Sequence, residues 1–310
     1  MRDIVIHKLI DLGKKDKDIE LITGDLGFGV LKPFWETLPD QFVNAGIAEQ
    51  NMTGAAAGMA LEGKKVFTYS IGNFPTLRCL EQIRNDCAYH NANVNIICVG
   101  GGYVYGSLGM SHHATEDIAI LRALPDVTVI CPGDPVEAAL ATEKIANTEG
   151  TCYLRLGRGG EKVINTSIKE FEIGKAYKIR DAKDLDKKVA VFSTGAILEE
   201  TDKACDMLEE QGIAVEQYSF PSVKPIDKEV IEDCSKRFDH IFTVEEHNIV
   251  GGFGGAVAEV MAECADKAKL HRIGIDDFYC IKVGSQAYLR EQVGIDAKGI
   301  CSKVKEVVSE

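Results

Sequence analysis

Short apolar runs recur along the first half of the chain and stop at or near glycine: IELITGDLG, FVNAG, KKVFTYSI, VNIICVGGG, VTVICPG and TCYLRLGR. An extended segment that is apolar on both faces has no side to offer water, so these runs predict strands covered on both faces. Between them lie segments of helical period. Ile4, Val5, Leu9, Ile10 and Leu12 form one, residues 48–62 a second, and TLRCLEQIRNDCAYHN, HHATEDIAILRAL and PVEAALATEKIANT three more, the last with Pro135 in its first turn. Strand and helix alternating at this density predict an α/β fold on a parallel sheet.

The alternation resumes on a smaller scale with KVAVFSTGAI, a helix through 197–211, IAVEQYSF, KEVIEDCSKRF, HIFTVEEH and GGFGGAVAEVMAE. Residues 161–187 are charged and patternless apart from EIGKAYKIR, and are expected to link a first domain, 1–160, to a second, 188–310. A net charge of −13 without a basic stripe argues against nucleic acid. No segment approaches the ~18–20 apolar residues of a membrane span, and the N-terminus reads as an amphipathic helix, not a signal peptide. The ten cysteines are scattered, with no CxxC pair. They are expected to be buried thiols in a reducing compartment, which points to the cytoplasm.

The chemistry concentrates at the predicted strand ends. Glu49 heads a helix that continues QNMTGAAAGMA. An acidic residue in a first turn can simply complement the helix dipole. Here the small residues that follow call for close approach of other backbone, so the helix start should be buried, and a buried carboxylate needs a partner. No cation stands nearby in the sequence, which leaves a ligand. In parallel α/β sheets ligands sit beyond the carboxyl ends of the strands, where Asp25, Glu49, Tyr69, Phe74 and the Gly100–Gly102 run all fall. The loop YGSLGMSHHATED places Ser111, His112 and His113 at the predicted mouth of a helix. A histidine there suits substrate contact, or the serine simply caps. Adjacent histidines without a second ligand pair do not suit a metal. Arg155 and Arg158, at the end of LRLGR, suit bidentate recognition of phosphate, sulfonate or carboxylate, or surface salt bridges.

The segments GIAEQNM, YSIGNFPTLRCLEQIRND, GMSHHATEDIAILRALP, PGDPVEA, LRLGRG, STGAILEE and TVEEHNIVGGFGGAVAE together resemble the C-terminal half of a transketolase, in family order over nearly the whole chain. Deoxyxylulose-phosphate synthases and the β subunits of 2-oxo acid dehydrogenases are kin. The resemblance implies a pyrimidine-binding domain followed by a transketolase C-terminal domain, acting with thiamine diphosphate. It implies that Glu49 meets N1′ of the aminopyrimidine, that Phe74 stacks on that ring with Tyr69 and Arg78 nearby, and that Asp25 is an acid close to the cofactor. It also implies that His112, with His113 beside it, contacts substrate, and that Arg158, Arg155 and Arg2 grip a sugar phosphate.

Two positions depart from the family pattern: Leu108 stands where an aspartate is usual and Gly100 where a substrate histidine is usual. The family's Gly-Asp-Gly motif for metal and diphosphate is absent from these 310 residues. Mg²⁺ (or Ca²⁺) and the diphosphate are therefore expected on a separate N-terminal transketolase subunit, in an α₂β₂ heterotetramer acting on sugars or sugar phosphates. NIVGGFGGAVAEV is expected at subunit contacts; as a dinucleotide motif it lacks the ribose-binding acid. The alternatives are the β chain of a 2-oxo acid dehydrogenase and a non-catalytic scaffold subunit.

Overall fold

A computed structural model describes residues 1–264 and 268–309. Six of the apolar runs form the strands β1 (Ile19–Thr23), β2 (Phe42–Asn44), β3 (Lys65–Ile71), β4 (Val94–Val99), β5 (Val127–Ile130) and β6 (Thr151–Leu156). Three of them, β1, β4 and β6, are buried at every position. All six run parallel, and a short antiparallel strand, β10 (Ser222–Lys224), completes a sheet ordered β10-β5-β6-β4-β3-β1-β2.

Successive strand residues point to opposite faces, and each face has its own core. Leu21, Phe67 and Ile97 pack with Val5, Leu9 and Leu31 from the helices α1 (Arg2–Gly13) and α2 (Phe28–Thr37). Ile22, Val66 and Ile96 face the other way, onto Met52, Ala56 and Ala57 of the helix α3 (Glu49–Leu61). Each such apolar side chain taken out of water contributes roughly 1.5–3 kcal/mol before conformational entropy is set against it.

The second sheet is ordered β12-β11-β8-β9-β7, from β7 (Tyr177–Arg180), β8 (Lys187–Thr194), β9 (Ile213–Ser219), β11 (His240–Asn248) and β12 (Lys269–Ile275). All its pairs are parallel except β7 with β9. The stretch 161–187 is therefore more than a linker, because Tyr177–Arg180 lies within it and edges the second sheet. Nor do the two halves of the chain have separate cores. Phe192, Phe220 and Phe253 of the second half pack in the same buried cluster as Tyr153 and Cys131 of the first.

TLRCLEQIRNDCAYHN also differs from the single helix expected. A tight turn at Leu77–Cys79 leads through Leu80–Gln82 into a wider coil at Ile83–Ala88. The Thr76 hydroxyl and the Cys79 thiol bond the Gly72 and Phe74 carbonyls, which fixes the chain in this tight turn before a regular helix starts. Nine of the ten cysteines are buried and all are free thiols. Among the described residues no helix is long and apolar enough to cross a membrane.

Candidate functional site

From β1 the chain moves outward to β2, then returns to place β3 on the other side of β1. Connections that diverge in this way leave a crevice above the carboxyl ends of the two strands. Asp25 follows β1, Glu49 follows the loop after β2, and Phe74 and Arg78 follow β3, so they flank that crevice. Asp25 has positive φ, and its backbone and carboxylate are held by reciprocal bonds with the Asn44 amide at 3.1 and 2.9 Å.

Glu49 is buried by helical period. It heads the stripe Glu49, Met52, Thr53, Ala56, Ala57 that faces the core, which leaves its side chain 4% exposed. The expectation that it has no cation is corrected. Arg78, brought over by the turn after β3, donates from Nη1 to Glu49 Oε2 at 2.7 Å. Its guanidinium also lies over the Phe74 ring, 4.5 Å from the centroid.

From Phe74 the contacts continue as a ribbon. The His112 ring meets Phe74 edge-on at 5.1 Å and lies 6.5 Å from Tyr105, and Arg158 sits over the Tyr105 face at 5.6 Å. Ser111 Oγ is 3.0 Å from His112 Nδ1, which restrains the imidazole. The Arg2 guanidinium, bonded to Asp3 at 3.2 Å, lies within electrostatic range of Tyr105 and Tyr69. Tyr105 was not expected from the sequence. Gly100 makes room for it: its φ is +96°, and a Cβ there would stand 2.3 Å from the Tyr105 ring. An aromatic thus occupies the space that a side chain at position 100 would need.

Four expectations are corrected. His112 does not sit at a helix N-terminus; it ends a short turn, and the next helix begins at Asp117. His113 turns away from the ribbon, buried against Tyr103 at 5.0 Å, with its Nε2 unpartnered and burial lowering its pKa. Tyr69 lies in β3 beneath the rim, 2% exposed, beside Gly27 and Leu31, and does not wall the crevice. Arg155 is buried and its guanidinium is committed to Asp117 at 2.7 Å, to the Ala114 carbonyl at 2.8 Å and to the Glu246 carbonyl at 3.0 Å. It joins the domains and does not meet the crevice.

His247 belongs to the same junction. Its Nε2 accepts the Ala119 N–H at 3.3 Å, and burial pushes its pKa from 6.5 down to about 4. The folded value lies below the unfolded one, so this stability is complete above pH 6.5 and is lost as pH falls through 6.5 toward 4. Thermal unfolding of the chain followed across that window should show the fall, and His247→Gln should reduce it.

The chain is an α/β protein with a carboxylate and an aromatic face flanking the crevice of a doubly wound sheet, the place where ligand sites of such folds are built. Residues 1–172 match the transketolase pyrimidine-binding domain and residues 175–300 the transketolase C-terminal domain, so the chain belongs to the transketolase family. It is 40% identical over 301 residues to a chain of Methanocaldococcus jannaschii classed as a transketolase C-terminal section, covering 96% of this chain and 93% of that one. It is 36% identical to one of the subunits of an apulose-4-phosphate transketolase from Phocaeicola vulgatus, over 97% of this chain and 95% of that one. The fold superposes with a TM-score of 0.88 on a split-gene transketolase described as an inactive β4 tetramer, 31% identical, over 99% of this chain and 97% of that one.

Proposed function

We propose that the chain is the C-terminal subunit of a two-subunit transketolase. It moves a two-carbon ketol unit from a ketose to an aldose, with thiamine diphosphate lying between it and a separate N-terminal subunit. The observation that carries this reading is the position of Arg78. A guanidinium is planar and bears N–H groups; here it bonds a carboxylate through its edge and covers an aromatic ring with its face. An aminopyrimidine carrying a proton at its ring nitrogen presents the same N–H edge and flat face, so Glu49 and Phe74 fit that ring, and Arg78 holds its place until it arrives.

When bound, thiamine diphosphate supplies the carbon centre that carries the two-carbon unit. The chain's own residues do the rest. Glu49 holds and passes a proton at the pyrimidine N1′, a task that needs a carboxylate shielded from water. Phe74 supports the ring. His112, restrained by Ser111, faces the sugar hydroxyls, and Arg158 with Arg2 receives a phosphate at the far end.

A partner is supported by what the crevice leaves uncovered. Phe28, Ile47, Leu108 and Met110 are all more than half exposed around it. On the outer face of α3, Ala55 is exposed and nothing lies near Gly58, so the close backbone approach expected of this helix falls to another chain. With no Gly-Asp-Gly motif in the sequence, the metal and diphosphate are assigned to that partner, in an α₂β₂ assembly. The Phocaeicola relative, named for apulose 4-phosphate, supports a modified sugar phosphate as donor, as do the departures at Leu108 and Gly100.

The test is reconstitution. The chain is mixed with a diphosphate-binding transketolase subunit, thiamine diphosphate and Mg²⁺, and ketose phosphates are screened as donors. Transfer should require both chains. If the chain captures no such partner, or the complex moves no two-carbon unit from any ketose, the proposal is wrong.

A further inference from the structure

The loop from Tyr103 to His113 carries Tyr105, Ser111 and His112, yet its only regular structure is two short turns. Its order comes from its neck. Gly102 and Ala114 exchange backbone hydrogen bonds at 2.7 and 3.0 Å, closing the loop at its base. One step inside, the Tyr103 N–H donates to Glu246 Oε1 at 2.8 Å. On the other strand of the neck, Arg155 Nη2 donates to the Ala114 carbonyl at 2.8 Å and to the Glu246 carbonyl at 3.0 Å.

Glu246 belongs to β11 in the second domain and is 2% exposed. Arg290 Nη2 donates to its carboxylate at 2.6 Å and Gln286 Nε2 at 2.9 Å, so the charge is paired and its lone pairs are used. The fit is close on every side. A Cβ at Gly101 would stand 2.6 Å from the Arg155 guanidinium, and one at Gly102, where φ is +68°, 2.5 Å from the Glu246 side chain. The Gly100–Gly102 run therefore serves two demands, the Tyr105 ring at its first position and the domain junction at the other two.

We propose that Glu246 is a positioning residue: from the second domain, and without touching the crevice, it holds the neck of the loop and so fixes where His112 and Tyr105 stand. A buried carboxylate with charged and neutral donors converging on it is a rigid anchor, because any shift unpairs several groups at once. The inference rests on the transketolase reading for its kinetic consequence. It does not rest on it for the structural one.

The test uses Glu246→Gln, which keeps the volume but turns an amide N–H₂ toward donors. In the isolated chain, hydrogen exchange of the amides in 103–113 should quicken at least tenfold while β4 and β6 stay protected. In the reconstituted complex, kcat/KM for the sugar donor should fall at least tenfold, with thiamine diphosphate affinity changed less than threefold. Gln286→Ala removes one donor and leaves Arg290 in place; it should give the same signature at smaller amplitude, and it decides the matter if Glu246→Gln does not fold. Wild-type exchange in the loop of a folded variant would overturn the proposal. Equal losses of sugar and cofactor binding would do the same, since they indicate general disruption. So would a loosened loop with unchanged kinetics. If the wild-type complex transfers nothing, the transketolase reading fails while the exchange result still reports on the anchor.

Discussion

Glu49→Gln should lower transfer by the reconstituted complex about a thousandfold, within the 10²–10⁴ range of a lost proton-transfer group. The amide keeps the shape of the acid and can still hydrogen-bond a ring nitrogen, but it cannot pass a proton. Thiamine diphosphate affinity and subunit assembly should therefore stay within a few-fold of wild type, while kcat falls. Glu49→Ala should abolish turnover with assembly intact. The measurement is steady-state transfer alongside calorimetric cofactor binding, and full activity of either variant would remove Glu49 from the chemistry. Because the side chain heads the buried stripe of α3, the alanine variant also tests packing, and the glutamine variant is the cleaner of the two.

Arg78→Met separates the two roles open to this arginine. If the guanidinium is a placeholder, its bond to Glu49 must break before a ring can enter, and that bond opposes binding. Removing it should tighten thiamine diphosphate in the assembled complex about tenfold. In the isolated chain the same change leaves the carboxylate without its cation and should cost about 1 kcal/mol in a urea titration, the upper end for a solvent-screened pair because the Arg78 side chain is 47% exposed. Weaker cofactor binding by Arg78→Met would show instead that the arginine holds the ring.

The strands and their end of the sheet were legible because burial on both faces writes itself as unbroken apolar runs. Glu49 could be singled out on the same ground, by its place at the head of a small-residue helix. Its partner could not. Arg78 reaches it across a chain reversal made of irregular turns, where neither the two-residue nor the 3.6-residue period applies. The same holds for the adjacent histidines, since a loop gives no rule for which faces the crevice. Arg155 is different. It lies inside β6, a run buried on both faces, so its place within the strand alone puts it in the core, whereas Arg158 lies past the strand end. Tyr105 had a signal as well: a glycine run before an aromatic marks a site where something large comes close to the backbone. The edge strands β7 and β10 are short, with little pattern of their own, and their pairing is settled only by the sheets they join.

β10 lies past residue 187, yet it hydrogen-bonds the outer edge of the first sheet. A fragment ending within 161–187 would present β5 as a bare edge, a template for strand addition by any neighbouring chain. The two family segments thus share one boundary in sequence and none in architecture. Moved alone into another protein, the first segment would carry six of the seven strands of the joint sheet and the second its one edge strand, so neither would bring that sheet complete.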